Sequence, residues 1–87
     1  MWTIVLTKRA TKDIELLKRA GLSQVASRIL DIISINPFQT PPPYEKLIGA
    51  FSGYYSRRIN FQHRIVYKID ETKKIVTIMR MWTHYDI

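Results

Sequence analysis

Apolar and polar positions alternate at the start of the chain. Trp2, Ile4 and Leu6 fall on one side and Thr3, Val5 and Thr7 on the other, which predicts a strand from Trp2 to Thr7. The period then lengthens. Ala10, Ile14 and Leu17 recur at helical spacing, with Lys8, Lys12, Glu15 and Lys18 around the rest of the cylinder. A helix is expected from about Lys8 to Ala20, capped by Thr7 and stopped by Gly21. Leu22, Val25, Ala26, Ile29, Ile32 and Ile33 form a second apolar stripe, predicting a helix from about Ser23 to Ile35. Asn36-Pro37 ends it, because the residue before a proline is pushed out of the α region. From Phe38 to Tyr44, the run Pro41-Pro42-Pro43 fixes φ and removes ladder donors, so an extended polyproline II connection is expected.

Alternation returns after the turn signal Ser52-Gly53. Tyr54 to Ile59 and His63 to Ile69 are short runs rich in aromatic and β-branched residues, separated by Asn60-Phe61-Gln62, and they read as a hairpin. Asp70-Glu71-Thr72-Lys73 is a second turn. From Lys74 to Trp82 the residues alternate again, Ile75, Thr77, Met79 and Met81 against Val76, Ile78, Arg80 and Trp82, and Thr83 to Ile87 form a tail. The order is β-α-α-β-β-β in a single domain over residues 1–87. It predicts an α+β fold with two helices packed on one face of a mostly antiparallel sheet. The other sheet face is left available for binding.

Composition narrows the partner. Fourteen Lys and Arg against seven acids give a net charge of +7, which favours an anionic partner. With 46% hydrophobic residues the chain is not disordered, and with 87 residues it is too short for more than one core. No apolar run reaches the roughly 20 residues that span a bilayer. The first residues lack the basic and long apolar regions of a signal peptide, so a cytoplasmic protein is expected with no membrane partner. There is no cysteine, and His63 and His84 have no ligand-like spacing, so neither a metal nor another cofactor is expected.

The candidate chemistry gathers on the hairpin, which holds Arg57, Arg58 and Arg64 beside Tyr54, Tyr55 and Tyr67. A three-residue loop pairs Arg58 with Arg64 on one face; a two-residue loop pairs Arg58 with His63 instead. Like charges directly opposite each other destabilise a sheet unless an anion lies between them. The plain alternative is that the arginines are solvated strand residues whose stems cover apolar surface. Glu45 follows the prolines and is the only acid between Asp31 and Asp70; His84 lies in the tail. Each alone is an ordinary surface residue. Together they match the needs of metal-free RNA cleavage: a base for the 2′-OH, an acid for the leaving 5′-oxygen, and cations for the phosphorane. Tyr54, Tyr55, Trp82 and Tyr85 could stack bases. A small basic nucleic-acid-binding module would show the same charge without cleavage.

Four stretches carry a resemblance. Pro43-Tyr-Glu45-Lys-Leu47, Ser52-Gly53-Tyr-Tyr-Ser56-Arg57-Arg58-Ile59, His63-Arg64-Ile-Val-Tyr67 and His84-Tyr85 look like the YoeB/Txe toxins of bacterial type II toxin–antitoxin pairs, within the RelE superfamily. The similarity is dense from about Asn36 to Tyr85 and architectural before that. It implies a ribosome-dependent mRNA endonuclease that cuts message in the ribosomal A site and so inhibits translation. By match, Glu45 is the base, Arg64 a catalytic arginine and His84 the general acid. Arg58, Tyr85, Lys46, Arg57 and Tyr54 are then expected to hold the substrate and its phosphate. The implied partners are a cognate antitoxin of the Phd/YefM type, the ribosome, and operator DNA through the antitoxin complex alone. A ParE-like toxin that binds a protein target without catalysis is the alternative on the same scaffold. Two departures stand out: Ile48 occupies the place of a common lysine, and Asp86-Ile87 extend past the usual final tyrosine.

Overall fold

The structure is a computed structural model that describes residues 1–82. β1 (Thr3–Leu6) leads into α1 (Lys8–Arg19) and α2 (Ser23–Ile35). Then come β2 (Glu45–Lys46), a 3₁₀ turn (Gly49–Phe51), β3 (Tyr54–Arg58), β4 (Arg64–Asp70) and β5 (Ile75–Arg80). The sheet order is β1-β5-β4-β3-β2, with β1 parallel to β5 and every other pair antiparallel. The expected α+β architecture is present, with β2 added. That strand is two residues long, too short to leave a periodic signal in the sequence.

Local chemistry sets the helix ends. Thr7 caps α1, its hydroxyl accepting from the Ala10 amide at 3.1 Å and donating to the Met79 carbonyl at 3.0 Å. At the other end Gly21 adopts φ +72°, a left-handed conformation that glycine tolerates best. The Leu22 amide reaches back to the Leu17 carbonyl and the Gly21 amide to that of Lys18, which satisfies carbonyls the helix would leave open. In the segment expected as polyproline II, the Thr40-Pro41 and Pro41-Pro42 bonds are cis.

The two helices cover one sheet face. Ala10 and Leu17 of α1 and Ala26, Ile29 and Ile33 of α2 pack on Ile65, Tyr67, Val76 and Ile78 of β4 and β5, with Ile59 and Met81 closing the core. One charged pair lies among them. Asp13 is 3% exposed and accepts from Arg80 Nε and from the Met81 amide, both at 2.9 Å on Oδ2. This ties the middle of α1 to the end of β5. The sequence carried a signal for it. Asp13 lies on the Ala10–Leu17 face of α1, and Arg80 falls on the Val76–Ile78 side of the last strand, so each interrupts an apolar row.

Removing one partner leaves the other charge buried without compensation. Asp13→Ala should lower the unfolding free energy by about 3–5 kcal/mol. A urea titration in which the midpoint barely moves would show that the pair does not anchor α1 to β5.

Candidate active site

The register of the β3–β4 hairpin decides what its arginines can do. The Ile59 amide donates to the His63 carbonyl at 2.9 Å, closing a three-residue loop. Asn60 Oδ1 accepts from the Gln62 and His63 amides at 2.9 and 2.7 Å, which braces that loop from inside. Arg58 therefore stands directly opposite Arg64. Side chains alternate across a pleated strand, so Tyr54, Ser56 and Arg58 share the face away from the helices, while Tyr55 and Arg57 point to the helix side. β2 places Glu45 opposite Ser56 on the arginine face.

These placements build one cleft of about 270 Å³, lined by Pro43, Tyr44, Glu45, Ser56, Arg58 and Arg64. Arg64 Nη1 donates to Glu45 Oε1 at 2.7 Å, and it lies 3.5 Å from Ser56 Oγ. The Arg64 side chain is 13% exposed, against 58% for Glu45. The arginine is thus set into the wall and the carboxylate faces solvent. Two cations face each other across the strands, and a carboxylate offsets one of them. The arrangement can bind a second anion between Arg58 and Arg64, and Glu45, a proton acceptor, is bonded to one of that pair.

The consecutive arginines have divided roles. Arg57 does not join the cleft. It is 1% exposed, and its guanidinium donates to Tyr67 Oη at 2.9 Å, to the Pro42 carbonyl at 2.6 Å and to the Pro37 carbonyl at 2.9 Å. It also lies 5.1 Å from the centroid of the Tyr44 ring. The expectation that Arg57 binds phosphate is corrected: pleat alternation sends it to the buried side, where it anchors the proline loop. The base-stacking role considered for Tyr55 is corrected for the same reason. Its ring faces inward and stacks on Tyr67 at 5.9 Å, with Tyr44 and Phe38 edge-on to it. Trp82 stacks on His63 at 3.9 Å, which occupies a ring also considered for bases.

Of the other expected site residues, Lys46 pairs with Tyr55 and so starts from the opposite side of β2 to Glu45. It lines a neighbouring depression with Leu47, Ile48 and Phe51, where Ile48 is 84% exposed. Tyr54 pairs with Lys68 on the arginine face but is not among the cleft-lining residues. His84 and Tyr85 lie outside the described residues. Ser56 was not anticipated as a site residue. It alternates with Arg58, which places it on the same face, but a serine inside a strand carries no chemical signal by itself.

Among the described residues no three metal-ligating side chains come together, and no helix is long and apolar enough to cross a membrane. The Tyr67 phenol is pushed above its usual 10.0 by burial, and the Arg57 guanidinium beside it opposes that shift.

Comparison with known proteins adds to this geometry. Residues 6–85 match the family model described as the YoeB-like toxin of bacterial type II toxin-antitoxin systems. Toxin YoeB of Synechocystis is 37% identical over 73 residues, 84% of this chain and 76% of the relative. A YoeB/ParE toxin from Agrobacterium tumefaciens superposes with a TM-score of 0.85 at 27% identity, covering 95% of this chain and 99% of that one. The toxin in a heterotetrameric YoeB–YefM complex from Staphylococcus aureus superposes with a TM-score of 0.80 at 28% identity, covering 98% of this chain and 99% of that one.

Arg57 and Arg58 should separate sharply in stability measurements. Arg57→Ala should lose about 1–3 kcal/mol for each buried partner left unsatisfied, whereas Arg58→Ala should stay within about 0.5 kcal/mol of the parent; equal losses would refute the division of roles. Tyr67 gives a pH dependence. With a folded pKa above the unfolded 10.0, the phenol's contribution is intact below about pH 10 and is lost as pH rises through the folded value. Ultraviolet titration should show a late phenolate that Tyr67→Phe removes.

Proposed function

The chain belongs to the YoeB-like toxins of bacterial type II toxin–antitoxin systems, and on that premise we propose that it is an endoribonuclease that cuts mRNA on the ribosome. The observation that carries the proposal is the convergence of Glu45, Arg58 and Arg64 on one cleft, with Glu45 Oε1 2.7 Å from Arg64 Nη1. The scissile phosphate lies between the two guanidinium groups. Glu45 takes the proton of the neighbouring 2′-OH as that oxygen attacks phosphorus. Negative charge grows on the non-bridging oxygens of the phosphorane, and Arg58 and Arg64 stabilise it through directed N–H donors. The bond from phosphorus to the 5′-oxygen then breaks, and His84 supplies the proton that the leaving oxygen needs. The products are a 2′,3′-cyclic phosphate and a free 5′-hydroxyl, with no water or metal consumed in the step.

Charge supports the choice of partners. A net +7 surface suits the ribosome, where RNA phosphates surround the message. It also suits an antitoxin with an acidic segment, and a YoeB relative from Staphylococcus aureus has been solved in complex with YefM. We assign this chain a cognate antitoxin of that kind, contact with operator DNA only through that complex, and a place in the cytoplasm. Tyr85 and Tyr54 are assigned to ordering the RNA around the cut, and Lys46 to phosphates at the rim.

A cell-free translation extract tests the reading. The protein should arrest synthesis and create new mRNA 5′ ends. Glu45→Gln and Arg64→Ala should each slow cleavage about 10²- to 10⁴-fold, with the thermal unfolding transition retained. Arrest without new ends would favour a toxin that binds a protein target, and full cleavage by both variants would sink the assignment of base and arginine.

A further inference from the structure

Beyond Arg80, the last residue of β5 paired with a neighbouring strand, the chain has lost its ladder. A backbone leaving a sheet regains two soft torsions per residue. Here the next two residues are held individually. The Met81 amide donates to Asp13 Oδ2 at 2.9 Å, the oxygen that also accepts from Arg80 Nε at 2.9 Å, and the Met81 side chain sits in the core. The Trp82 ring stacks on the buried His63 ring, with centroids 3.9 Å apart and planes 20° from parallel.

We propose that Asp13, His63 and Trp82 form a clamp that fixes where the chain leaves the sheet, and that through it they act as positioning residues for His84. The proposal rests on the reading of His84 as the general acid. Only Thr83 separates Trp82 from His84. Successive Cα atoms are at most about 3.8 Å apart, so the chain tethers His84 within about 7.6 Å of Trp82 and whatever fixes Trp82 limits where the acid can go. His63 immediately precedes Arg64, so the ring stack references the tail to the strand that carries the phosphate arginine. Asp13 references it to α1, on the far side of the sheet from the cleft. Stability alone does not call for this chemistry. A buried ion pair is seldom better for stability than well-packed apolar residues, but its hydrogen bonds define one geometry. A proton donor needs such geometry, because a displacement of about 1 Å can slow a reaction about 100-fold.

Trp82→Leu keeps apolar bulk and removes the ring stack; Trp82→Phe keeps a ring. His63→Gln removes the stack from the other side, so that if either variant fails to fold the other decides. Single-turnover cleavage of mRNA on programmed ribosomes is measured with each, beside His84→Ala. Trp82→Leu should cut about 10- to 100-fold more slowly at unchanged KM, and Trp82→Phe should recover most of the rate. In the His84→Ala background Trp82→Leu should add no further loss, because a residue acting through His84 has nothing left to position. Wild-type rates in Trp82→Leu and His63→Gln beside a slow His84→Ala would overturn the clamp and leave the acid standing. The same fold-loss from Trp82→Leu with and without His84 would also overturn it. A His84→Ala variant that cuts at the wild-type rate would remove the acid assignment itself, and the clamp with it.

Discussion

One buried guanidinium carries much of the site's geometry. The segment between α2 and β2 is rich in proline, so it has few amides with which to bind itself, yet its carbonyls still require donors. Arg57 meets two of them, at Pro37 and Pro42, while its Nε donates to Tyr67 on the central strand β4. A planar guanidinium fork holds its donors in fixed directions over a wider span than a lysine ammonium, so it reaches three separated acceptors from one position. The Tyr44 ring rests against the same guanidinium. Glu45 is the next residue, so the loop delivers its carboxylate to the cleft from a fixed direction. Burying a charge is costly unless it is fully hydrogen-bonded, and here the charge-assisted bonds that offset the cost also position Glu45.

The pleat then divides the work of adjacent residues. Arg57 and Arg58 are neighbours in the chain and chemically identical, yet one is scaffold and the other faces the cleft. Nothing in the side chain decides this; the parity of the strand does. The three-residue loop braced by Asn60 sets that parity and brings Arg58 opposite Arg64. A register slip of one residue would exchange the roles and place an unpaired guanidinium in the core. Packing of Ile59, Ile65 and Tyr67 on the helices therefore protects the site as well as the fold.

This explains how much could be read in advance. Helices, strands and their order follow from periodicity, a property of sequence, and the helix caps at Thr7 and Gly21 follow from local chemistry. Arg58 and Arg64 stood out as like charges that a three-residue loop would oppose, Glu45 as the lone acid after the prolines, and one cleft gathers all three. Arg57 was misread because a strand of mixed polar and aromatic residues does not announce which face is buried. Asp13 with Arg80 went unnoticed because a buried ion pair joins positions 67 residues apart. Its two halves became meaningful only when α1 lay across β5. The strand β2 was missed because two residues cannot display a period.

The Glu45–Arg64 pair raises a final physical point about the proposed reaction. In the free protein the carboxylate already occupies part of the anion site that faces Arg64. An incoming phosphate competes for the same guanidinium, and Arg58 opposite adds attraction that Glu45 does not fully balance. An exposed carboxylate bound to a set-in arginine gains modestly from the pair, typically less than about 1 kcal/mol. A phosphate held between two guanidinium groups gains more. In the proposed reaction, substrate binding would therefore loosen Glu45 from its ion pair as a 2′-OH arrives beside it. On that proposal, the contact that offsets one of two opposed cations also holds the proton acceptor until a phosphate displaces it.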